Sequence, residues 1–250
     1  MSHPNTLSNP PARSLAGYHD INLAPEVAPR VLPPTGERGP FVLSMWGKGG
    51  CGKSTACLQF AGIAAHLGHR VIILDVDPQG SASAWRALRD DDTIAVQSGR
   101  PNEVERLVQR ARKGDFDLVL VDNAPGRNGC VSRVAAMSDL AIVLARPSAF
   151  DILVGRDWVR AFEGRRSVMV LSVAPPIRQG QESPLVGDAR EALRGIGGRV
   201  WDHELTARHS VIEATGVGLT VIESDPLSPA AQECSRLWNA IVNKLLKSGK

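Results

Sequence analysis

The nine residues Gly47-Lys48-Gly49-Gly50-Cys51-Gly52-Lys53-Ser54-Thr55 hold the densest chemistry in this sequence. They fit the spacing G-x-x-x-x-G-K-[ST], which cradles the phosphates of a nucleotide. The glycines let backbone N–H groups turn inward and approach phosphate oxygens without a Cβ in the way. A helix opening directly after the loop adds the positive end of its dipole. Lys53 has the reach for the β- and γ-phosphates, and Ser54 can set its hydroxyl on Mg²⁺. The chemistry predicted is Mg²⁺-assisted binding and cleavage of a nucleoside triphosphate. A glycine-rich turn without that role leaves the Lys-Ser pair unexplained.

Two acidic segments follow at strand ends. In Leu74-Asp75-Val76-Asp77-Pro78-Gln79-Gly80 the carboxylates close an apolar run. At the carboxyl edge of a sheet they point at a phosphate site. Asp77 with Pro78 and Gly80 also has the composition of a plain strand-end turn. The second segment, Leu118-Val119-Leu120-Val121-Asp122, is four apolar residues leading into an aspartate, the Walker B pattern. Asp122 is expected to hold Mg²⁺ through water, since Mg²⁺ keeps much of its hydration shell.

These groups need strands to aim them and helices to cover the strands. Near-continuous apolar runs at residues 41–46, 70–75, 93–97, 116–122, 140–145 and 167–173 read as strands buried on both faces. Helical stretches at 53–67, 101–113, 151–162 and 184–194 alternate with them, and a last helix at about 228–246 carries apolar residues at helical spacing. Strand–helix alternation predicts a doubly wound α/β domain, with a mainly parallel sheet and helices on both faces. That domain is placed at residues 40–250. Residues 1–39 stand apart as a flexible tail, because 8 of the 17 prolines fall in the first 40 positions and no periodicity is visible there.

Composition excludes several classes. No apolar run reaches the ~18 residues of a membrane-spanning helix, and residues 1–11 carry no secretory signal pattern, so a cytoplasmic protein with no membrane partner is expected. The four cysteines form no CxxC pair and read as reduced thiols. The net charge of +3 names no partner by itself. A GTPase would carry a base-reading N-K-x-D element, but Asn243-Lys244 is followed by Leu245-Leu246; ATP is the expected nucleotide.

The second lysine of the loop makes the resemblance specific. Lys48-Gly49-Gly50-Cys51-Gly52-Lys53-Ser54 resembles the deviant Walker A box, K-G-G-x-G-K-[ST], of the ParA/MinD family of partition and positioning ATPases, within the P-loop NTPases. The acidic segments resemble the family's D-x-D-P-Q-G and D-x-P-P-G elements, in its order; Asn123-Ala124-Pro125-Gly126 lacks one proline of the second. The resemblance covers residues 41–246. It implies an ATP-bridged homodimer in which Lys48 reaches the partner subunit's phosphates. It further implies that Asp77 orients the attacking water or holds the switch, that Asp75 supports the magnesium shell and that Pro226 borders the adenine. Non-specific DNA is the implied partner, with a ParB-like or cargo adaptor stimulating hydrolysis. Candidate phosphate contacts are Arg165, Arg166, Arg194, Arg199, Arg208, Lys244, Lys247 and Lys250. A MinD-like positioning ATPase without DNA, or a small-molecule kinase, are the alternatives. The related nitrogenase iron protein needs two cluster cysteines per chain. Cys130 has no second cysteine between it and Cys57, so a cluster is rejected.

Overall fold

The computed structural model describes residues 27–126 and 131–246. Cys130, Lys247 and Lys250 lie outside them. Seven strands are present: β1 (Phe41–Gly47), β2 (Val71–Val76), β3 (Ile94–Ser98), β4 (Leu118–Asn123), β5 (Leu140–Ala145), β6 (Ser167–Ala174) and β7 (Val200–Thr206). The helices are α1 (Lys53–His66), α2 (Ser81–Arg86), α3 (Val104–Lys113), α4 (Val131–Met137), α5 (Ala149–Ala161), α6 (Pro184–Gly195), α7 (His209–Gly216), α8 (Val221–Ser224) and α9 (Pro229–Leu246).

The strands form one sheet in the order β3-β2-β4-β1-β5-β6-β7. Every pairing is parallel, so the sheet is wholly rather than mainly parallel. Alternate side chains enter two cores. Leu43 and Met45 of β1 meet α1, α2, α7, α8 and α9 on one face. Val42 and Trp46 meet α3 to α6 on the other. Burial on both faces is why the strands read as unbroken apolar runs. The order in which strands are added reverses around β1, whose carboxyl end lies between those of β4 and β5. Open α/β sheets bind ligands at that point.

Two parts differ from the sequence reading. β7 has no unbroken apolar run, because it is an edge strand with Asp202 and His203 exposed. The chain also joins the domain earlier than residue 40. Val27 and Leu32 are buried, and the stretch is fastened to α9. The Arg30 N–H donates to Asn239 Oδ1 at 2.8 Å, Asn239 Nδ2 donates to the Ala28 carbonyl at 3.0 Å, and Trp238 Nε1 donates to the Arg30 carbonyl at 2.7 Å. Prolines remove donors from this strap, yet side chains of α9 supply the missing partners.

Candidate nucleotide-binding site

The loop joining β1 to α1 needs its glycines for stated reasons. Gly47 has φ 137°, and a Cβ there would sit 2.3 Å from the Leu144 carbonyl oxygen and 2.7 Å from Cys51 Sγ. Gly52, directly before α1, has φ 85°, a left-handed conformation that side chains rarely adopt. Cys51 packs its fully buried thiol under the loop, where burial raises its pKa, and its carbonyl accepts a 2.7 Å hydrogen bond from Ser172 Oγ. Its side chain therefore faces the core and not the cleft. Lys53 is buried at the start of α1, and its ammonium donates to the Lys48 carbonyl at 3.3 Å.

Asp75 and Asp122 are register partners on the adjacent strands β2 and β4, so their side chains share a face. Asp122 is fully buried and neither oxygen has a well-formed hydrogen bond. Its pKa is raised from 3.8 to about 7, chiefly by burial and also by nearby Asp75 and Asp77, against the pull of the Ser54 hydroxyl and Lys53. Asp75 Oδ2 accepts from the Ser83 N–H at 2.8 Å and its hydroxyl at 2.7 Å, while Oδ1 has no partner. Buried carboxylate oxygens without donors, beside a serine hydroxyl at a phosphate loop, suit a hydrated divalent cation. Asp77 makes the turn its composition allows, with Oδ1 accepting from the Gln79 N–H at 3.0 Å. It also lines the cleft over the loop.

That cleft, of about 690 Å³, is bordered by Gly49, Gly50, Gly52, Lys53, Ser54, Thr55, Asp77 and Pro125. It shares Gly52, Thr55, Val173 and Ile212 with a second, more apolar cavity of about 340 Å³ reaching to Arg208 and Cys234. Pro226 lines neither and sits between α8 and α9. The segments that border the second cavity include the carboxyl ends of β6 and β7 and the start of α7. Val173 was not foreseen. Its φ of 52° is an outlier for a β-branched residue. It sits where the β6–β7 register shifts, and this throws its side chain, 44% exposed, towards the loop. Arg208 is held by Glu233, which accepts from Nη2 at 2.6 Å.

Lys48 lies exposed outside the cleft. Its ammonium sits 5.4 Å from the centroid of the Phe150 ring, on the first turn of α5. Arg146, equally unforeseen, approaches the loop from the same side; a Cβ on Gly50 would lie 3.7 Å from its Nη1.

The basic candidates separate into groups. Arg194 pairs with Asp202, Arg208 with Glu233, and Arg165 donates to the Ser132 carbonyl. Arg166, Arg199 and Lys244 border one groove at the amino ends of β5, β6 and β7. Asp139 in that groove is engaged by Arg38 and the Val42 N–H.

Fold and loop together define a P-loop nucleotide-binding protein. The profile of the CobQ/CobB/MinD/ParA nucleotide binding domain matches residues 43–245. The chain belongs to this family, and it is a ParA-like ATPase. It is 33% identical over 111 residues to maintenance of carboxysome distribution protein A of Gloeobacter kilaueensis, covering 43% of this chain and half of that protein. To protein ParA of Rhizobium radiobacter it is 32% identical over 150 residues, covering 59% of this chain and 67% of that protein. Its fold matches the septum site-determining protein MinD of Pyrococcus horikoshii, solved with Mg-ADP, at a TM-score of 0.64 and 15% identity; the match covers 81% of this chain and 96% of that one. No helix among the described residues is long and apolar enough to cross a membrane.

Proposed function

We propose that the protein is an ATP-dependent positioning switch that segregates DNA or places a protein cargo. Two copies close face to face over two ATP molecules, bind DNA non-specifically, and separate when hydrolysis removes the bridging γ-phosphate. The similarity to a ParA and to a carboxysome-distribution protein supports the positioning role. Lys53 and the loop N–H groups hold the triphosphate in cis. Ser54 and Asp122 would hold Mg²⁺, with Asp75 behind them, and the ion would supply positive charge against the phosphates. Asp77, at the rim of the cleft, places the attacking water. The purine enters the adjoining cavity, with Val173, Arg208 and Ile212 as its walls. An adaptor protein of the ParB kind stimulates turnover, in the cytoplasm and at the nucleoid.

The observation that carries the dimer is the position of Lys48. A lysine inside the phosphate loop, exposed and outside its own cleft, serves a phosphate on another subunit. Light scattering with and without a non-hydrolysable ATP analogue tests this. Lys48→Ala is expected to stay monomeric where the wild type doubles in mass, and a variant that dimerises normally would sink the proposal. Binding to random duplex across a salt series decides the partner: none at low salt leaves a protein-only positioning system.

A further inference from the structure

We propose that Phe150 is a positioning residue for Lys48, its ring holding the ammonium at the outer face of the phosphate loop where a second copy of the chain docks. The inference rests on the dimer reading above. The Lys48 backbone is already tied, since its carbonyl accepts from Lys53 Nζ at 3.3 Å and from the Cys51 N–H at 3.4 Å. Its four-carbon stem is left as the free part, and its rotamers are lost on docking unless something orders them first. Phe150 is what stands beside it. The ring is 72% exposed, so it contributes little to the fold's own core, and its face meets the Lys48 ammonium at 5.4 Å. Cations within about 6 Å of a ring centroid are attracted by its quadrupole.

The turn that carries the ring is rigid. Ser148 caps α5 by accepting from the Asp151 N–H at 3.3 Å, and its hydroxyl donates to Asp151 Oδ2 at 2.8 Å. The other cation on this side, Arg146, is bound by the same buried carboxylate, with Nη2 to Oδ2 at 3.1 Å. Arg146 therefore does not compete for the ring, and its charge beside Gly50 disfavours a Lys48 folded back over its own loop. Leu153, one turn on and 70% exposed, extends the same face of α5.

Dimer dissociation constants with the non-hydrolysable analogue test the role. Phe150→Leu keeps apolar bulk but loses the ring, and is expected to weaken dimerisation about four- to twenty-five-fold, the two- to fivefold of an exposed cation–π contact counted once in each subunit. Phe150→Tyr keeps the ring face and is expected to match the wild type. At the higher protein concentrations where Lys48→Ala itself begins to pair, adding Phe150→Leu should cost nothing more, because the ring acts through the lysine. Three results would each overturn the positioning role: a Phe150→Leu variant as tight as wild type, a Phe150→Tyr variant as weak as Phe150→Leu, or additivity with Lys48→Ala. The last would make Phe150 a plain apolar contact with the partner. If Lys48→Ala itself dimerises normally, the dimer reading falls and this inference with it; an impaired Lys48→Ala beside an unaffected Phe150→Leu overturns this inference alone.

Discussion

A carboxylate with no solvent and no well-formed hydrogen bond keeps its proton unless positive charge is brought to it. Asp122 is in that position, its pKa raised by burial to about 7. The native state then binds a proton that the unfolded chain has already lost across roughly pH 4 to 7, so this group's contribution to stability falls as pH rises through that window. Each tenfold change in proton affinity is worth about 1.4 kcal/mol, which gives the loss a ceiling of about 4 kcal/mol. Asparagine carries no such charge. In EDTA, Asp122→Asn is expected to melt above the wild type at pH 8, with the gap narrowing by pH 5, while ATP turnover is lost. Equal melting of the two proteins at pH 8 would show that the carboxylate is not strained. A group this costly to the empty protein is understandable as half of a cation site, with the ion supplying the missing charge when it binds.

At the scale of elements, the phosphate loop was legible because its requirements are local: Gly47, Gly52, Lys53 and Ser54 act within one strand–turn–helix. Asp75 and Asp122 were legible as strand ends. Val173, Arg146 and Phe150 were not, since their importance comes from approach to the loop by β6 and α5, far along the chain. Helices of four to eight residues, such as α2, α7 and α8, carry too few turns for a period to show. One of these short helices nonetheless fixes α1, and with it the loop. A Cβ on Gly62 of α1 would lie 2.3 to 2.8 Å from three side-chain atoms of Thr220, which is fully buried and caps α8. Alanine in place of a helix-interior glycine gains about 1 kcal/mol in propensity. Here overpacking, typically about 1–3 kcal/mol, works against that gain and wins, because a β-branched side chain cannot swing aside. Gly62→Ala is expected to lower the urea midpoint, whereas Gly195→Ala in α6, where nothing lies within 4 Å, leaves it unchanged or raises it. Equal effects from the two would mean that α1 and α8 separate easily.

The whole molecule places its two charged regions at opposite edges of one sheet. The nucleotide cleft sits at the carboxyl ends of β1, β2 and β4; Arg166, Arg199 and Lys244 sit at the amino ends of β5 to β7. Strands of about six residues at ~3.3 Å each separate the edges by about 20 Å, twice the screening length at ordinary salt. Charge at the groove therefore acts little on the cleft directly, and any effect of ATP on DNA binding must pass through assembly, which doubles the number of grooves on one particle. Each phosphate contact adds about 0.9 to the slope of log affinity against log salt. Arg166→Ala with Arg199→Ala is expected to weaken binding of random duplex in ATP and to lower that slope by about two per protomer engaged. The ATP-driven doubling of mass should persist, because neither residue approaches the loop. Unchanged affinity and slope would move the DNA surface to another face of the protein, and a loss of dimerisation would show that the two edges are coupled through the sheet itself.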